Sequence, residues 1–219
     1  TTAPATVSGT TRGDGVYTSS STTQNTANVL QGSLAQDVIK LTIVMGGTSD
    51  QAAYLNSITF TTTGTTNTST DLTNARIFYT GSTNTFSDDT QFGQTFTTFG
   101  TNTATGTFAL LPGNNYFWIA YDVKLTATAG NVIDATVTSF NITDVNGTGN
   151  YSPTPTAPAG SRPIVAPGGT CPITTPSARC SGSGCNTSLS QGEYIANISF
   201  GTTVSSSAYP TSSGCAPAI

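Results

Sequence analysis

The residues able to do chemistry are few and sharply grouped. Four cysteines, Cys171, Cys180, Cys185 and Cys215, fall in the last quarter of the chain, and the first 170 positions contain none. Cys180 and Cys185 stand in Cys-x4-Cys spacing, which suits few zinc sites, and there is no His to complete one, so disulfides are the expected chemistry. Four cysteines permit three pairings, with Cys171 to Cys215 available as an outer clasp. A second group is Asp144, Asn146 and Thr148 in DVNGTGN, where oxygen-bearing side chains alternate as in a calcium loop. The acid that such a loop needs at its twelfth position is replaced by Pro155, and Asn146-Gly147 is equally a hairpin turn. Calcium is the one cofactor candidate, set against a plain turn. The third group is the ring set Tyr116, Trp118 and Tyr121 in NYFWIAYDVKL. Aromatic faces beside amides and hydroxyls are what a neutral glycan stacks on, but both alternating faces of this stretch are apolar, which makes core packing the competing reading and places Trp118 in the interior.

Catalytic parts are otherwise missing. His is absent, which removes the usual general base for a Ser or Cys nucleophile. Glu193 is the only Glu, so a Glu/Glu glycosidase pair is impossible, though pairs among nine Asp remain conceivable. Asp122 and Arg76 are unusual charges within strand patterns and read as a strand-to-strand ion pair. The expectation is a protein that is not an enzyme.

The elements that must position these groups are strands. Thr and Ser together fill 70 of 219 positions, with Gly 23 and Pro 11, while Lys plus Arg total 6. Such a composition starves helices and indicates an all-β chain. Charged residues make up 7%, so hydroxyls and amides must keep the surface wet. A net charge of −4 with scattered cations leaves no basic stripe, and no nucleic-acid partner is expected. No run of 18 apolar residues exists, so no membrane insertion is expected either. The start at Thr1-Thr2-Ala3-Pro4, without an initiator Met, suits a processed, exported protein.

Period-two alternation marks the strands: Ile39, Leu41, Ile43 and Met45 first, then Ile58 with Phe60, Ile77 with Tyr79, and Phe108 with Leu110. Phe117, Ile119, Tyr121 and Val123 lie on one face of a central strand, with Tyr116, Trp118 and Ala120 on the other. In NVIDATVTSFNITDV the apolar phase passes from Ile133, Ala135 and Val137 to Phe140 and Ile142, the mark of a β-bulge. Turns at roughly ten-residue spacing point to an antiparallel β-sandwich, jelly-roll or immunoglobulin-like, over residues 34–165. Residues 1–33 read as an extended Thr/Ser-rich lead-in, and 166–219 as a small disulfide-bearing β module. The prolines between Pro153 and Pro167 make a linker or an edge strap.

The series GTTNTSTDLTNARIFYTG, FGQTF, LLPGNNYFWIAYDVKLTATAGNVIDA and AGSRPI resembles the N-terminal domain of bacterial BNR-repeat neuraminidases, found also in secreted surface proteins of the Bacteroidota type. The most diagnostic pieces are Gly113 to Trp118, Tyr121-Asp122 and Arg162-Pro163-Ile164. CNTSLSQGEYIANISFGTTVSSSAY looks like the start of a second module from the same proteins. The resemblance implies a sandwich accessory domain of an extracellular, often adhesive polypeptide. It does not imply sialidase activity, which needs an Arg cluster, a Tyr/Glu pair and Asp-box repeats on a propeller. The expected role is a non-catalytic structural or adhesion module at a cell surface or in a filament, with a glycan-binding accessory domain of a secreted glycosidase as the alternative. Val7, Val16, Tyr17, Val29 and Leu30 have no evident partner in the lead-in, which raises a homopolymer built by β-strand addition.

The cysteine group yields a direct test. Peptide mapping without reductant should find at least one disulfide among the four cysteines, and closing the loop from Cys171 to Cys215 would contribute about 3–4 kcal/mol. Four free thiols would reject it.

Overall fold

The computed structural model describes residues 15–47 and 53–167. In chain order these form β1 (Val16–Gln24), β2 (Val29–Leu30), β3 (Gln36–Gly46), β4 (Ala53–Thr61), a single helical turn α1 (Thr68–Asp71) and β5 (Leu72–Tyr79). There follow β6 (Gln91–Phe96), β7 (Thr101–Leu110), β8 (Gly113–Val123), β9 (Val132–Ile133), β10 (Thr136–Asp144), β11 (Gly147–Tyr151) and β12 (Arg162–Val165). Five strands make one antiparallel sheet in the order β1-β3-β8-β5-β6, and four make a second in the order β11-β10-β4-β7. A small sheet, β2-β12-β9, pairs β12 parallel to β2 and antiparallel to β9.

The two large sheets share one apolar core, which makes the domain an antiparallel sandwich. Ile39, Leu41 and Ile43 of β3, Ile77 of β5, and Phe117, Ile119 and Tyr121 of β8 meet Leu55, Ile58 and Phe60 of β4 and Val137, Phe140 and Ile142 of β10. Alternation thus assigns the inward face as the physics of the pleat requires. The phase change in β10 is a real irregularity: its register against β4 slips between Val137 and Ser139. A further slip between Asp37 and Ile39, opposite β8, lets Val38 be buried beside Ile39.

From Val16 onward the Thr/Ser-rich lead-in is part of the sandwich rather than a separate extended segment. β1 pairs antiparallel with β3 from Val16 opposite Gly46 to Gln24 opposite Ile39, and Val29 of β2 is 1% exposed. An edge strand has one solvated face, so VYTSSSTTQ carries hydroxyls where a central strand carries aliphatics, and its periodicity fades. Val16, Tyr17, Val29 and Leu30 accordingly have partners within their own chain. Val7 lies outside the described residues.

The proline-rich segment is the edge strap. Thr154 N donates to Ser20 O at 3.2 Å, and Thr22 Oγ1 to Pro155 O at 2.5 Å, so the segment runs along β1. Prolines suit this place because they lack N–H groups that a ladder would have to satisfy. The helical turn α1 was not expected from sequence; Asp71, fully buried at its end, accepts from Thr128 N at 2.9 Å and Asn131 Nδ2 at 2.7 Å.

Where β6 and β7 draw the two sheets together, one glycine is indispensable. Gly93 has φ +71°, and a Cβ there would sit 2.9 Å from Ala104 Cβ and 3.1 Å from both N and O of Thr105. Gly93→Ala therefore combines left-handed strain with overpacking, and should lower stability by about 2–4 kcal/mol. Urea unfolding should show the midpoint falling with an unchanged slope.

Candidate functional site

Strand β8 carries the ring set, and it divides it between two environments. Tyr121 points into the sandwich, is fully buried and donates to Asp134 O at 3.1 Å; burial pushes its hydroxyl pKa up. Tyr116 and Trp118 project from the opposite face of the sheet, each 8% exposed. The three rings therefore cannot form one platform, because positions an odd number of residues apart in a strand leave on opposite sides.

Trp118 is buried, but not between the sheets. On the outer face it lies between Lys40 of β3 and Phe78 of β5, its cross-strand partners. Lys40 Nζ sits 5.5 Å from its ring centroid and 5.4 Å from that of Tyr116, and is held there by a 2.7 Å hydrogen bond to Asn84 Oδ1. Phe86, from the loop after β5, meets Trp118 edge-on at 5.8 Å, and Trp118 Nε1 donates to Thr80 Oγ1 at 2.9 Å. A covering loop and a cation thus shield most of the indole. The indole's remaining edge helps line an open depression of about 490 Å³ together with Asn25, Asp37 and Lys40 among others.

The charges in the strands are structural. Arg76 and Asp122 form the ion pair expected of them. Asp122 Oδ1 also accepts from Ala35 N at 2.7 Å and its Oδ2 from Asn74 Nδ2 at 2.7 Å. Arg162, 5% exposed, donates to Ala27 O at 2.9 Å, Asn28 O at 3.2 Å and Asp37 O at 2.5 Å. Desolvation lowers its pKa and the nearby Asp37 opposes that shift. Asp134 has its pKa raised by desolvation, against a 2.7 Å bond from Ala135 N.

The calcium candidates lie at the β10–β11 hairpin turn. Asp144 and Gly147 pair across the β10–β11 hairpin, with Gly147 at φ +104° closing it. Asp144 Oδ1 accepts from Asn146 N at 2.8 Å and Oδ2 from Tyr17 N at 3.0 Å, so the carboxylate fastens the turn and the start of β1. Thr148 Oγ1 bonds Thr143 Oγ1 at 2.9 Å across the strands, and is directed along the sheet rather than toward Asp144. Among the described residues no group of three His, Cys, Asp or Glu converges on a metal position. Cys171, Cys180, Cys185 and Cys215 lie outside the described residues.

Asn115, part of the Gly113 to Trp118 motif, has a structural role that the motif alone does not reveal. It is fully buried, accepts from Leu111 N at 2.8 Å and Tyr79 OH at 2.9 Å, and donates to Leu111 O at 2.7 Å, so it closes the β7–β8 turn. A polar residue at the head of the most apolar strand was the available signal.

The family described as the N-terminal domain of BNR-repeat neuraminidase matches residues 18–146, more than half of the chain. The chain belongs to that family. The matched span runs from within β1 to the β10–β11 turn, and so takes in most of both large sheets of this neuraminidase-associated domain. Among solved structures the Hadza microbial sialidase Hz136 is similar, with 12% identity and a TM-score of 0.47 over 66% of this chain. The similarity spans 30% of that sialidase's length. No curated protein sequence matches the chain.

The covered indole can be uncovered. Lys40→Ala should shift the emission of Trp118, the only Trp, to longer wavelength, raise its quenching by acrylamide and cost about 1 kcal/mol of stability. An unchanged spectrum would show that Lys40 does not shield the ring.

Proposed function

We propose that this neuraminidase-associated domain is a non-catalytic module of an extracellular polypeptide, whose work is to attach and space rather than to transform a substrate. One observation carries the reading: charged side chains in the sandwich strands are engaged in holding backbone and strand ends. Asp122 is occupied by Arg76, Asn74 and Ala35 N, and Asp144 by a turn and by β1. Lys40 lies over two rings while bonded to Asn84. A general acid or base must be free to reach a substrate proton, and groups committed in this way are not.

Family membership supports the accessory role, since the family is defined by a position beside a neuraminidase rather than by the catalytic unit. The glycan-stacking alternative through Tyr116, Trp118 and Tyr121 loses its platform to the two-sided placement of those rings. Assembly by strand addition draws no support from residues 16–30, which pair within the chain. The protein incubated with a fluorogenic sialoside should release no fluorophore above buffer. Turnover that followed the purified protein through successive columns would overturn the non-catalytic reading.

A further inference from the structure

The chain's charges are unevenly distributed between its two sheets. The five-stranded sheet carries Asp37, Lys40, Arg76 and Asp122 within its strands. The strands β4, β7, β10 and β11 of the other sheet carry only Asp144, which is 9% exposed and engaged as described. Its outward face therefore has no formal charge.

What that face holds instead is a grid of hydroxyls and amides. The registers align Ser139, Thr59 and Thr103 in one row across β10, β4 and β7. The next row runs Asn150, Asn141, Ser57 and Thr105 from β11 to β7. Strands lie about 4.8 Å apart, and same-face residues recur about every 6.7 Å along each strand. The groups are also tied to one another. Thr59 Oγ1 bonds Thr103 Oγ1 at 2.9 Å, Asn141 Nδ2 donates to Asn150 Oδ1 at 2.7 Å, and Asn56 Nδ2 donates to Asn141 Oδ1 at 2.8 Å. These bonds hold the side-chain rotamers before any ligand arrives, so less entropy is lost on binding.

We infer that the outer face of this four-stranded sheet is a docking surface for an extended, neutral polysaccharide. The inference rests on the attachment reading above and names the partner. Charge matching excludes a polyanion as the favoured occupant, because nothing on the face repays its desolvation. A protein partner would look for aromatic and Arg anchors, and among the described residues Tyr54, 39% exposed, is the one large exposed ring on this face. A chain of linked sugars offers what the grid can match: a repeating array of hydroxyl donors and acceptors without charge. The natural twist of the sheet, with its register slips at Val137/Ser139 and Leu55/Ser57, follows a flexible chain better than a flat lattice. Each contact is weak, and retention comes from many of them acting along one polymer.

Affinity electrophoresis of the whole chain tests this. Gels would contain a soluble mixed-linkage β-glucan, a galactomannan or dextran, with polygalacturonate as the anionic control. Retardation is expected in at least one neutral gel and should be insensitive to salt. The triple variant T59V/T103V/T105V keeps β-branched shape and removes three hydroxyls, and should bind about tenfold more weakly. Its urea midpoint reports whether the fold is kept; should it fall, Thr103→Glu on edge strand β7 places a charge in the grid and should weaken retention in the same way. Equal retention of wild type and variants would move the binding off this face, overturning the inference while leaving an attachment role intact. Retardation in no neutral gel, or in polygalacturonate alone, would overturn the choice of partner. The non-catalytic reading fails separately, through sialoside turnover.

Discussion

The fold depends on holding β8 in register. This strand is buried on both faces, with Phe117, Ile119 and Tyr121 toward the sandwich and Trp118 and Ala120 away from it. A slip of one residue would exchange those faces and break the packing on both sides of the sheet. Two buried polar side chains prevent it. Asn115 ties the entry of the strand to the β7–β8 turn and to Tyr79, and Asp122 ties its exit to β5 and to the loop before β3. Each leaves a costly unpaired group if the register moves, so the polar residues supply specificity where the aliphatic ones supply burial.

A chain with so few charges must close its edges by other means. The outer edge of β1 is covered by the Thr154–Pro155 segment, and the Tyr17 N–H near its start is met by Asp144 from the other sheet. Arg162 gathers carbonyls from the turn between β1 and β2 and from the start of β3, binding the small sheet to the large one. Scarce ionic groups thus stand where backbone carbonyls and amides would otherwise be buried unmet. The remaining surface is left to Thr, Ser and Asn, and on the four-stranded sheet it becomes a continuous neutral face. On the strands themselves, threonines such as Thr59, Thr103 and Thr105 take outward positions, where the β-branched side chain also favours the extended backbone.

Much of this was legible in the sequence. The alternation of Ile39, Leu41, Ile43 and Met45, the two-sided apolarity of β8, the phase change near Val137 and the pairing of Arg76 with Asp122 all depend on neighbours within one or two strands. Each appears in the structure. Within the motif series that resembles the neuraminidase-associated domain, the pieces from GTTNTST to NVIDA fall inside the matched span of residues 18–146, whereas AGSRPI lies beyond its end. β1 was missed because an edge strand wet on one face and crossed by a strap presents hydroxyls at most positions. The three rings of β8 were grouped by nearness in sequence, although residue parity already sends Tyr121 to the other side.

Composition and periodicity by themselves determined that the chain is all-β, which positions face inward, and where a bulge must interrupt the pattern, because strand geometry translates residue order directly into facing. Only the tertiary structure decided which strands lie at edges, what covers Trp118, and that Asp144 fastens the start of β1. Those outcomes follow from groups far apart in the chain, such as Tyr17 with Asp144 or Arg162 with Ala27. No local spacing encodes such a meeting. It arises when two sheets close on one core and the remaining donors and acceptors must find partners or stay in water.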